Sequence, residues 1–149
     1  MASAPTVQEL EDLVGKPLPG GRYTVEPYRH WLMLDAVGAR PTRSGTAHPM
    51  EAYYGALAGM GISVDDLFGL VGASAEDGPM FGEAEIELHR PLQVGATYDV
   101  TGAITSIQRK EGRRAGVFDI VGFRLELRGD DGELHAVSAN SFIFPRRSS

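Results

Sequence analysis

Residues 48–60 read HPMEAYYGALAGM, and this stretch decides the architecture. Pro49 suits the first turn of a helix, where a missing N–H costs nothing. Behind it Met50, Tyr53, Tyr54, Leu57, Ala58 and Met60 alternate with small Gly55, Ala56 and Gly59. A helix that is apolar or small nearly all round is a buried one. Something must therefore wrap it.

The wrapping material lies downstream. Phe81–Leu88, Tyr98–Gln108, Val117–Arg128 and Leu134–Phe144 each approach a period of two, which predicts strands. In the third run Val117, Val121, Phe123, Leu125 and Leu127 share one face with Asp119, the single break in it. Gly129-Asp130-Asp131-Gly132 is a hairpin turn, and Glu111-Gly112-Arg113-Arg114 serves the same purpose one hairpin earlier. Ser138 and Asn140 fall in the polar half of the last run. Long strands on short turns make an antiparallel meander that curls, with one face to be covered by the helix at Pro49. The expected class is α+β.

Upstream elements are shorter. Thr6 and Glu9 form a capping box ahead of Leu10, Leu13 and Val14, and Gly15 ends that helix. Tyr23, Val25 and Glu26 read as a strand. Tyr28–Val37 reads as a helix stopping at Gly38, followed by a polar loop over Ala39–Ala47. Ser63 caps a further helix through Leu67, Phe68, Leu70 and Val71.

Composition narrows the function classes. The 149 residues carry 42 % hydrophobic and 23 % charged side chains, enough for a core, and we expect one domain over 1–149. Net charge is −6, which argues against non-specific nucleic-acid binding. No apolar run reaches membrane length, and Met1–Leu10 lacks the pattern of a secretory leader, so a soluble cytoplasmic protein is expected. There is no cysteine, and His30, His89 and His135 have no ligand spacing, so neither a metal site nor a cofactor is expected. Arg109, Lys110, Arg113 and Arg114 crowd one stretch, either as a solvated hairpin tip or as a patch meeting phosphates.

The order of elements, together with the turn phrase His89-Arg90-Pro91-Leu92-Gln93-Val94-Gly95, resembles the MaoC-like (R)-specific enoyl-CoA hydratases and dehydratases. The likeness is to their N-terminal-half dehydratase domain and runs over roughly Leu10 to Pro145. Residues 82–134 carry most of it. The resemblance implies a single hot-dog fold, a curled antiparallel sheet around a central helix. It also implies an acyl group carried on coenzyme A or a carrier protein, with water added to or removed from a 2-enoyl thioester. Such units pair edge to edge, as a homodimer or as a heterodimer with another hot-dog chain.

Hydration needs a positioned water, a base for its proton, and donors where enolate charge gathers on the thioester oxygen. Active members of that family supply the first two from a G-D-x-N-P-x-H loop. Here the matching residues are Gly38-Ala39-Arg40-Pro41-Thr42-Arg43. Ala39 falls where the acid belongs and Arg43 where the imidazole belongs, and neither can serve as a base. The resemblance places the oxyanion donors at the start of the central helix, with free amides near Met50 and Glu51.

The remaining candidates are few. Met50, Glu51, Tyr53, Arg113 and Arg114 are expected to bind substrate. Asp35, His48 and Glu51 are the candidate catalytic groups. Asp35, inside LMLDAV, is either buried with a raised pKa or on the outer side of its helix. Gly55, Ala58 and Gly59 either make room for an acyl chain or allow close packing on the sheet.

Three readings follow. The first is a hydratase- or dehydratase-like subunit without its own Asp/His dyad. The second is a self-sufficient hydratase using Asp35 or His48, or a thioesterase using Glu51. The third is a non-catalytic acyl-thioester binding or scaffold protein.

Overall fold

The computed structural model describes residues 3–146. Its elements are α1 (Val7–Glu11), β1 (Gly21–Thr24), α2 (Pro27–Val37), α3 (Met50–Gly59), α4 (Val64–Leu70), β2 (Met80–Leu88), β3 (Thr97–Gly112), β4 (Gly116–Arg128) and β5 (Leu134–Arg146). The predicted capping box at Thr6 and Glu9 forms, and Ser63 builds a second one with Asp66. Helix α2 stops at Gly38, whose φ of 67° suits a residue without Cβ.

All five strands join one antiparallel sheet in the order β1-β3-β4-β5-β2. Strands β3, β4 and β5 form the expected meander. Strand β2 does not pair with its sequence neighbour β3. It crosses to β5, with Leu88 opposite Ala136 and Phe81 opposite Phe142, and β1 takes the free side of β3. The β3–β4 turn closes at Gly112 and Gly116, with Arg113, Arg114 and Ala115 at its tip.

The inner face of the sheet carries Val100, Ile104, Val121, Phe123, Leu125, Leu127, Phe142 and Phe144, all buried. Helix α3 lies across it and touches every strand. Its Ala52, Gly55, Ala56 and Gly59 are buried against the sheet, while Tyr54 and Ala58 stay exposed on the far side. The sheet thus embraces one side of the helix, and the expectation of a helix buried all round needs that correction. A Cβ on Gly55 would stand 2.5 Å from the ring of Tyr23, and one on Gly59 would stand 2.5 Å from Val100. These two glycines serve close packing.

Two polar features sit on the inner face, and the first departs from the sequence reading. Ser138 and Asn140 point inward, on the side of Phe142 and Phe144, and satisfy each other through a 3.0 Å bond from Asn140 Nδ2 to Ser138 Oγ. Asp119 is 0 % exposed and is clamped by two arginines. Arg109 Nε donates to it at 2.8 Å and Arg146 Nε at 2.6 Å. Arg146 also donates to the carbonyls of Val71 and Gly72, and Arg109 to that of Pro5. Arg109 is therefore a structural cation, withdrawn from the basic tip.

Candidate functional site

The loop ahead of α3 is stitched to the turn phrase between β2 and β3. Ala47 N–H donates to the carbonyl of Leu92 at 2.7 Å, and Val94 N–H donates to that of Gly45 at 2.9 Å. Inside the loop the Thr42 hydroxyl donates to the Thr46 carbonyl. These bonds hold the second half of the loop, Thr42 to Ala47, and so fix His48 at the mouth of the helix.

Two cavities flank this loop. One, of about 250 Å³, is lined by Pro27, His30, Trp31, Leu34, Pro41, Thr42, Gly45, Thr46 and Val94. The other, of about 280 Å³, is lined by His30, Leu34, Arg40, Thr42, Thr46, Ala47, His48, Pro49, Leu88 and Pro91. They share His30, Leu34, Thr42 and Thr46 as a common wall. Neither has a carboxylate in its lining.

The start of α3 is not the open set of donors that the resemblance implies. Met50 N–H donates to His48 Nδ1 at 3.2 Å, and Glu51 N–H donates to the His48 carbonyl at 2.9 Å. Both amides are taken by the chain itself. His48 N–H in turn donates to His30 Nε2 at 3.0 Å. A histidine pair thus sits where bare helix amides were expected, and His30 is a site residue that the sequence reading missed. The only advance sign of it was an imidazole in the apolar stretch of α2.

Glu51 is 3 % exposed and accepts a 2.6 Å bond from the Tyr23 hydroxyl. It lines neither cavity. Burial first, and then the bond to Glu51, push the Tyr23 phenol well above its usual range, so it remains a donor. Tyr53 is half-buried and packs edge-on to Tyr54 and Phe81. Asp35 is on the exposed side of α2.

Arg113 and Arg114 are exposed at the β3–β4 tip. The cavity end of the sheet is marked by Leu88, opposite Ala136, itself opposite Leu127. From Leu127 to Gly116 is eleven residues, roughly 36 Å along the strand. Within one chain the two arginines are thus remote from the Leu88 end of the sheet, where the cavity lies.

No protein-family model matches the chain, and no curated protein matches it either. Solved structures do. The ChsH1–ChsH2 complex from Mycobacterium tuberculosis matches with a TM-score of 0.69 at 16 % identity, over 95 % of this chain and 92 % of that one. The chain has the hot-dog fold. A second hot-dog match is the C-terminally truncated HadBC (3R-hydroxyacyl-ACP dehydratase) complex from the same organism. Its TM-score is 0.65 at 19 % identity, over 89 % of this chain and 97 % of that one. A third is a MaoC-like dehydratase, with a TM-score of 0.68 at 19 % identity. This chain covers 43 % of it and is itself covered to 91 %.

Within this hot-dog scaffold no three His, Cys, Asp or Glu side chains cluster as metal ligands among the described residues. Among the described residues no helix is long and apolar enough to cross a membrane.

Proposed function

We propose that this chain is an acyl-thioester hydratase- or dehydratase-like subunit without its own acid–base dyad. It holds an enoyl or hydroxyacyl thioester, on coenzyme A or a carrier protein, for a second hot-dog chain that brings the Asp and His. The observation that carries this is the cavity at the start of α3. It is apolar, it is rimmed by His30, His48 and Arg40, and no carboxylate lines it to activate water. Two structures that share the fold are named as dehydratases, and two, one of them a dehydratase, are named as complexes.

Strand β2 supports the pairing. It lies at the sheet edge with its outer side unpaired, and Met80, Phe81 and Leu88 on it are exposed. A long edge strand with large apolar side chains is a site for another strand. Across such an interface the partner's cavity and this chain's Arg113 and Arg114 can serve one substrate, even though they lie far apart within one protomer.

Purification of the tagged chain from its native host tests the assignment. The expected result is a stoichiometric hot-dog partner carrying the G-D-x-N-P-x-H loop. A homo-oligomer that dehydrates or hydrates an acyl thioester unaided contradicts it.

A further inference from the structure

The two histidines at the start of α3 have fixed tautomers. A neutral imidazole has one N–H and one lone pair, so a ring nitrogen that accepts a bond leaves the proton on the other. His48 Nδ1 accepts from Met50 N–H, which puts the His48 proton on Nε2. His30 Nε2 accepts from His48 N–H, which puts the His30 proton on Nδ1.

His30 is 5 % exposed, and its Nδ1 has no partner in the described chain. The one sealed ring nitrogen without a partner among the described residues is His135 Nδ1, so His30 Nδ1 is not sealed. His30 and His48 line the same 280 Å³ cavity, and Arg40, without an ion pair among the described residues, lines it too. Leu34, Leu88 and Pro91 complete an apolar wall. His30 lines the cavity and its Nδ1–H is neither sealed nor bonded within the described chain, which leaves it free to donate to an oxygen of a ligand.

From this arrangement we infer that His30 Nδ1–H and His48 Nε2–H form a seat for an acyl carbonyl oxygen, taking over the task of the helix amides that His48 occupies. The seat deepens the acyl-thioester reading and rests on it for the identity of the substrate. The same donors suit a thioester carbonyl or a free carboxylate, and Arg40 adds positive charge for the oxyanion.

Long-range proton–nitrogen NMR on the ¹⁵N-labelled full chain, titrated in parallel with butyryl-CoA, coenzyme A and butyrate, tests it. Before ligand, His30 should show the Nδ1–H tautomer and His48 the Nε2–H tautomer. Butyryl-CoA should shift both ring N–H signals, and coenzyme A alone should not. His30→Phe should raise the butyryl-CoA Kd about fivefold to tenfold, the loss of one hydrogen bond. Arg40→Gln, a surface change that spares the fold, should raise it severalfold.

Shifts with both acyl ligands support a seat open to carboxylates as well. Shifts with butyrate but no binding of butyryl-CoA keep the seat and overturn the thioester reading. Binding of butyryl-CoA without movement of either ring overturns the seat and leaves the thioester reading standing. Either tautomer reversed, shifts caused by coenzyme A alone, or no binding of any acyl ligand overturns the inference.

Discussion

The Tyr23 hydroxyl donates a 2.6 Å hydrogen bond to the carboxylate of Glu51, joining the edge strand β1 to the first turn of α3. The acid that the sequence offered as a base is thus a fastener between sheet and helix. Tyr23→Phe leaves a buried carboxylate without its donor and should cost about 1–3 kcal/mol of stability. Chemical denaturation measures it, and an unchanged midpoint removes the structural role.

Gly55 and Gly59 set two effects against each other. Alanine in a helix interior normally gains about 1 kcal/mol over glycine. Here the new methyl would stand 2.5 Å from Tyr23 or Val100, and overpacking costs roughly 1–3 kcal/mol. We expect Gly55→Ala and Gly59→Ala to lower the melting temperature. A rise would show that α3 does not lie this close to the sheet.

Asp119 gives stability a pH signature. Burial pushes its carboxyl up, but the bonds from Arg109 and Arg146 outweigh that and hold it below the usual carboxylate range. A depressed folded value means the contribution is complete above the unfolded value near ~3.9 and is lost as pH falls through the folded one. Unfolding free energies should therefore drop below about pH 4, and Asp119→Asn should flatten that drop. At neutral pH, removing the partner of two arginines should cost about 3–5 kcal/mol. An acid limb unchanged in the variant assigns it to other groups.

The exposed β2 edge should carry the assembly. Met80→Glu puts charge on the open strand, on the face opposite Phe142 and away from the cavity that Leu88 lines. Light scattering should show loss of the dimer or of the partner, with the far-ultraviolet spectrum kept. An unaltered mass places the interface elsewhere.

Much of this was legible where physics is local. The capping boxes at Thr6–Glu9 and Ser63–Asp66, the stop at Gly38 and the hairpin at Gly129–Gly132 depend on residues a few positions apart. The helix behind Pro49 announced itself by its small and apolar residues, although its Tyr54 side lies open. What escaped the reading joins distant parts of the chain. Strand β2 finds β5 over fifty residues on, Arg146 finds Asp119, and His30 reaches the amide of His48 across eighteen positions. Ser138 and Asn140 fall in the polar half of their strand, and alternation alone does not say which half meets the core. The donors at α3 were misplaced for a related reason. A histidine one residue before a helix-starting proline gives no sign that its ring will fold back onto the first amides.

The central claim is that this chain holds an acyl thioester without transforming it. Calorimetric binding of butyryl-CoA, run beside a crotonyl-CoA hydration assay on the same purified chain, tests it most directly. Saturable binding with no turnover is the expected pair of results. Hydration by the chain alone, abolished by His48→Ala or Asp35→Asn, would contradict it.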